Sequence, residues 1–185
     1  RAPEVAVAVK VVPGEKPPVE KPFAIFEDQG EFAANLNQGG GQATLASDEK
    51  YSGTASVKVT PDQKFNPKLA GLDVKIRENP GPGEYRFVRF AWKKVQGNSI
   101  CFQLAHDGKF GPASDAGGRE GAKFRYHAGP GEECFGASLQ VSDKTPARAF
   151  EVVTRDLYHD FGEFTLTGLG FSPVDGQSAL FDHIY

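Results

Sequence analysis

Two short acidic stretches carry the first chemical question. The chain closes on ALFDHIY (residues 179–185), where Asp182 sits among Leu180, Phe181, Ile184 and Tyr185. In FAIFED (23–28), Glu27 follows an equally apolar run. Strand side chains alternate between faces. That alternation sets Asp182 with Leu180 and Ile184, and Glu27 with Phe23 and Ile25, so both carboxylates are expected to point inward. A buried carboxylate needs a cation or several donors to hold it. The alternatives are that these acids lie at frayed ends or accept backbone N–H bonds.

Other chemistry is sparse. A glycosidase sets two carboxylates roughly 5–10 Å apart in a cleft, but no spacing singles out a pair among Glu132, Glu133, Asp156 and Asp160. Neither a GxSxG elbow nor a Cys–His signature occurs. The histidines at 106, 127, 159 and 183 form no helix-face metal pair, and His159 reads as a surface residue. NQGGGQ (37–42) lacks the GK[ST] of a phosphate loop. Catalysis is not expected. Cys101 and Cys134 show no zinc spacing; they read either as two buried thiols or as a disulfide of an oxidising compartment.

These residues need elements to position them. A chain of 185 residues suffices for one domain with a real core. Its net charge of -3 gives no basic field for nucleic acid or an anionic membrane. No apolar run approaches the roughly 20 residues that span a bilayer, and the opening residues lack a signal-peptide layout. Gly 22, Pro 13 and Phe 15 together favour an all-β chain. Residues 1–22 read as a Pro-rich linker or N-terminal arm, whose VAVAVKVV stretch is able to pair as a strand or augment a neighbouring sheet. The domain is expected over 23–185. Strand candidates there are FAIFED, GQATLASD, TASVKVTP, GEYRFVRFAWKKVQ, SICFQLAHD, AKFRYHAG, ASLQVSD, FEVVTRDL, EFTLTGLGF and ALFDHIY. TRDLYHDFGE is the one short helical candidate. Gly168 and Gly170 shift the apolar phase from Phe164/Leu166 to Leu169/Phe171, which predicts a β-bulge. The polar segment 107–121 reads as a long exposed loop. The expected fold is an all-β jelly-roll sandwich of two antiparallel sheets.

FED, KYSGTASVKVT, GEYRFVRFAWKK and LFDHIY, in this order, resemble jelly-roll carbohydrate-binding modules of the galactose-binding-like superfamily. GEYRFVRFAWKK, FRYHAGPG, VTRDLYHDFGEFTLTG and FDHIY are similar to a domain of large secreted planctomycete-type proteins, some of which also carry cytochrome c modules. No CxxCH motif occurs here, so any haem belongs to another part of such a parent. The resemblance spans about residues 23–185 and implies a structural calcium that ties the first strand to the last. Carried over by position, Glu27 and Asp182 are the carboxylate ligands, with backbone carbonyls of Tyr51 and Thr54 completing the shell. Calcium takes six to eight hard oxygens at about 2.3–2.6 Å, which suits that mixture.

Sugar sites pair aromatic platforms with polar groups. In EYRFVRFAWKK one face carries Tyr85, Phe87, Arg89, Ala91 and Lys93. The more apolar face carries Arg86, Val88, Phe90, Trp92 and Lys94, which makes Trp92 a core residue first and a sugar platform second. In AKFRYHAG, Lys123, Arg125 and His127 share a face opposite Phe124 and Tyr126. Arg89, Trp92, Arg125, Tyr126 and His127 are the candidate ligand residues, with Arg89, Arg125 and His127 grouped on one open face toward acidic or hydroxylated glycans. The competing reading of that face is a solvated sheet surface.

The functional expectation is a non-catalytic carbohydrate-binding module of a larger secreted, cell-surface or periplasmic protein. Its partner would be a glycan or polysaccharide and its cofactor structural calcium, with no nucleic acid and no membrane span. The alternative is a structural or docking subunit that uses its N-terminal strand to join a neighbour.

Overall fold

A computed structural model describes residues 21–111, 124–130 and 137–185. Residues 1–20 of the N-terminal arm, Cys134, Glu132, Glu133, Lys123 and most of the polar loop lie outside these residues. In chain order the elements are α1 (Phe32–Asn35), β1 (Ala43–Ala46), β2 (Ser56–Val59), β3 (Lys64–Asn66), β4 (Val74–Ile76), β5 (Glu84–Tyr85), β6 (Phe87–Lys94) and β7 (Ile100–His106). They continue with β8 (Arg125–Ala128), β9 (Leu139–Ser142), β10 (Glu151–Asp156), α2 (Leu157–Phe161), β11 (Phe164–Ser172) and β12 (Ala179–Asp182).

The strands form a β-sandwich. One sheet of five runs β1-β2-β12-β6-β10, and the other of seven runs β5-β4-β11-β7-β8-β9 with β3 also on β11. The expected antiparallel pairing holds except for β4–β5 and β8–β9, which are parallel. Alternation in β6 decides the interior. Val88, Phe90 and Trp92 turn inward and are buried, while Phe87 and Arg89 are exposed. Phe90 stacks on Phe102 of the facing sheet at 4.2 Å, and Phe171 meets Phe181 across the sandwich at 4.7 Å. Each fully buried Phe contributes about 1.5–3 kcal/mol of hydrophobic stabilisation, so the phenylalanine-rich composition becomes the interlayer core.

The glycine bulge appears where the phase shift predicts it. The β11–β7 register slips between Leu166 and Gly168, and Phe164, Leu166, Leu169 and Phe171 all reach the core. α2 forms within TRDLYHDFGE, with Asp156 accepting from the His159 amide at 2.9 Å as N-cap. FAIFED is shorter than a strand: Phe26 makes a single bridge to Ile184. Two elements, β3 and β4, arise where no alternation marked them. Among the described residues, no helix is long and apolar enough to cross a membrane.

Candidate functional site

The sequence ALFDHIY does not run as one regular strand. Asp182 pairs with Ala91, yet Tyr185 rather than Ile184 exchanges backbone hydrogen bonds with Arg89, both at 2.9 Å. One extra residue has entered, and His183 supplies it with a left-handed φ of 53°. This is a β-bulge. It turns Ile184 into the core, where it bridges the buried Phe26, and sets Tyr185 beside Arg89 on the outer surface.

Asp182 also lies on that outer face. Directly opposed residues share a face, and its partner Ala91 points away from the inward-facing Phe90 and Trp92. The expectation that Asp182 and Glu27 point between the sheets is therefore corrected. Asp182 is nonetheless fully buried, because the 47–54 segment lies against it as a roof and sets the Tyr51 and Ser52 amides on its carboxylate. An ion pair between Lys93 and Glu49 pins the roof, and the Ser56 hydroxyl donates to the Glu49 carbonyl at 2.6 Å. The Tyr51 amide donates to Asp182 Oδ2 at 2.6 Å, the Ser52 amide at 3.2 Å, and the His183 amide to Oδ1 at 2.7 Å.

Glu27 completes the cluster. It accepts from the Ser52 hydroxyl and from the Tyr185 hydroxyl at 2.9 Å, and its Oε2 lies 3.2 Å from His183 Nδ1. Thr54 stands elsewhere: its amide and hydroxyl go to Asp28, a residue the sequence reading passed over. Burial pushes the Asp182 carboxyl above the usual 3.8 despite its three amide donors, and the charge of Glu27 adds to the rise. The Thr54 amide and hydroxyl hold Asp28 below that value. Burial, then the hydrogen bond to Glu27, pushes up the Tyr185 phenol.

Ser52, His183 and Glu27 together do not make a hydrolytic relay. Ser52 Oγ lies 3.1 Å from His183 Nδ1, and Glu27 approaches the same nitrogen. A relay needs nucleophile and acid on opposite ring nitrogens. The cluster instead holds two acids on one serine: Ser52 donates its hydroxyl to Glu27 and its amide to Asp182. No Lys or Arg side chain joins these acids among the described residues. Among the described residues no group of three or more His, Cys, Asp or Glu side chains is set to hold a metal ion, so the hard oxygens a cation would find here are those of the Glu27 and Asp182 carboxylates.

His183 and Tyr185 also line a surface groove of about 420 Å³. Pro22, Phe23, Tyr85, Phe87 and Tyr185 form its apolar lining, and Arg89 and His183 its polar part. Phe23 and Tyr85 are 5.9 Å apart, and Phe87 is 57% exposed. The aromatic surface continues from Tyr185 to His183 (4.6 Å), Tyr51 (5.2 Å) and Phe150 (6.2 Å). Phe23 also borders a second cavity of about 320 Å³ with Gln29, Glu31 and Asn35 at its rim.

Of the candidate ligand residues, Arg89 alone lines this groove. Trp92 is 1% exposed and packs edge-on to Phe90, and its Nε1 has no hydrogen-bond partner among the described residues. Tyr126 is fully buried and donates to Asp160 at 2.8 Å. The expected grouping of Arg89 with Arg125 and His127 does not form. Arg125 and His127 pair with Gln103 and Cys101 on the outer face of the seven-stranded sheet, on the opposite side of the sandwich. They are also buried rather than open: Arg125 donates to Gln103 at 2.8 Å and to the Gly111 carbonyl at 2.9 Å, while His127 Nδ1 meets the Ser138 hydroxyl at 2.8 Å. Burial pushes the Arg125 guanidinium down. Cys101 is disulfide-bonded. Sequence reasoning missed Phe23, Tyr85, Phe87 and Tyr185 as one set. The signal for Phe87 was present, since it shares the Arg89 face of β6.

No protein-family model matches the chain, and no curated protein sequence is similar to it. Among solved structures it is similar to the CBM22-1 xylan-binding domain of Paenibacillus barcinonensis Xyn10C, at 14% identity over 80% of each chain and a TM-score of 0.33.

Proposed function

We propose that this chain is a non-catalytic glycan-binding module whose site is the aromatic groove at Phe23, Tyr85, Phe87 and Tyr185. The observation that carries the reading is that groove: the exposed ring of Phe87 and the half-buried rings of Phe23, Tyr85 and Tyr185 around a cavity of about 420 Å³, with Arg89 and His183 as its polar groups. Pyranose rings present apolar C–H faces and hydroxylated rims, so rings beside a few donors recognise them, while hydrocarbon ligands have no use for the donors. A disulfide at Cys101 supports an oxidising compartment, in keeping with a module of a larger secreted, cell-surface or periplasmic protein. Structural calcium at Glu27 and Asp182, under the Tyr51–Ser52 turn, belongs to the same proposal. When bound, it would neutralise the two acids and fasten the roof; the chain's own part is to bring both carboxylates to one turn.

The test is a polysaccharide panel read by affinity electrophoresis and calorimetry on the whole chain. Binding in the millimolar range or tighter is expected. Phe87→Ala should weaken it about tenfold, the effect of losing roughly 1.4 kcal/mol of ring contact. Phe87 is exposed, so the melting temperature should hold. No retention by any polysaccharide, or full retention by Phe87→Ala, would sink the reading.

A further inference from the structure

We propose that the groove selects an acidic glycan and that Arg89 reads its carboxylate. This rests on the glycan reading above and adds the chemical class of the ligand.

The basic side chains of residues 86–93, the stretch that carries Phe87 and Arg89 to the groove, differ in their partners. Arg86 is spoken for: it binds Asp156 through Nε and Nη2 at 2.9 and 2.7 Å, and the Glu78 carbonyl through Nη1 at 3.0 Å. Lys93 is paired with Glu49. Arg89 is exposed, and its guanidinium makes no hydrogen bond or ion pair with the described residues. Its cross-strand neighbours are the uncharged Thr154 on β10 and Tyr185 beyond the bulge. A guanidinium offers a planar fork of donors that matches a carboxylate with two parallel bonds. Beside Phe87 and Tyr185 it stands where a stacked pyranose would present an exocyclic group.

The acids fix the orientation. Glu27 is engaged by Ser52, Tyr185 and His183, and Asp182 lies under the roof. Neither lines the groove, and Glu27 meets its edge only through His183 and Tyr185. Negative charge on the ligand is therefore favoured at the Arg89 end and disfavoured at the His183 end. A uronate residue seated with its carboxylate toward Arg89 satisfies both conditions, whereas a neutral sugar offers the guanidinium only uncharged hydroxyl acceptors.

The experiment pairs short oligomers of polygalacturonate, alginate and hyaluronate with their carboxyl-reduced forms, titrated calorimetrically into the whole chain. At least one acidic oligomer should bind about fivefold or more tightly than its reduced partner, as expected for a charge-assisted hydrogen bond. Raising the salt should shrink that ratio. Arg89→Gln should bring it to about one without changing the melting temperature, and Arg89→Lys should keep part of it, retaining the charge but losing the fork. Equal binding of acidic and reduced forms, or a ratio untouched by Arg89→Gln, would overturn the proposal while leaving the glycan reading intact. Binding to neutral polysaccharides alone would overturn it equally. Failure of every polysaccharide, acidic or neutral, would take both readings down together.

Discussion

Asp160 and Asp182 are two buried carboxylates resolved in opposite ways. Asp160, 4% exposed, receives Arg155 Nε at 2.8 Å and Nη2 at 2.9 Å together with the Tyr126 hydroxyl. Burial pushes its carboxyl up, but the hydrogen bonds from Arg155, Tyr126 and His159 outweigh it and hold the value below 3.8. At Asp182 the donors are amides, and burial wins. The sign for Asp160 follows by linkage. A carboxyl depressed in the folded state adds stability above its unfolded value of 3.8, and that stability is lost as pH falls through the folded value. Asp160→Asn should therefore cost about 2 kcal/mol at neutral pH, a discounted figure for breaking one side of a pair whose arginine is partly exposed. Urea unfolding at pH 7 and pH 3 checks this, since the gap between wild type and variant should narrow at the lower pH. A gap of constant size would mean that the carboxylate's charge contributes nothing. Tyr126, a candidate sugar contact on sequence grounds, belongs to this network.

Two bulges show what a strand sequence discloses and what it hides. At Gly168 the slip was legible, because two glycines coincide with a switch in apolar phase between Leu166 and Leu169. A Cβ on Gly168 would overlap the Asn66 carbonyl and the Pro67 backbone, whereas on Gly170 it would meet Phe65 Cβ at 3.0 Å and the Gln103 side chain at 3.3 Å. Gly168→Ala should cost about 2–3 kcal/mol, as overpacking against fixed backbone does, and more than Gly170→Ala, where the nearest atoms stand 3.0 Å or more away. Chemical denaturation of the two variants tests the order, and the reverse order would mean that β3 is not held against the bulge. At His183 the slip was illegible, since histidine enters the left-handed region more often than most residues but still seldom, and no glycine marks the position. Regular alternation through ALFDHIY thus sent Asp182 inward and missed Tyr185 as a partner of Arg89. The split of β6 was read correctly because its apolar and polar faces differ along eight residues. Three-residue strands such as β3 and β4 offer too few alternations to register. The burial of Arg125 and His127 escaped for another reason: alternation assigns a face but does not say what covers it.

Across the whole molecule, the same cluster joins the two ends of the domain. Phe26 bridges Ile184, Glu27 reaches Tyr185, and the 47–54 roof closes over Asp182, so residues far apart in sequence meet at one turn. Bringing Glu27 and Asp182 together costs stability while both are ionised, because burial and mutual repulsion act in the same direction at Asp182. A bound cation reverses that sign. If calcium is held there at a concentration about a hundredfold above its dissociation constant, it contributes about 2.7 kcal/mol. In a chain of this size that corresponds to a shift of roughly 5–10 °C in melting temperature. Adding EDTA to the whole chain should therefore lower the melt by about that amount, and excess calcium should restore it. Asp182→Ala should melt lower than wild type in either buffer, because three amides lose their acceptor, and it should lose its response to EDTA. If the wild-type melt ignores the chelator, the amides of Tyr51, Ser52 and His183 suffice and the calcium proposal fails. The Arg89 selectivity would stand regardless, because it is carried by a guanidinium that makes no hydrogen bond or ion pair with Glu27 or Asp182.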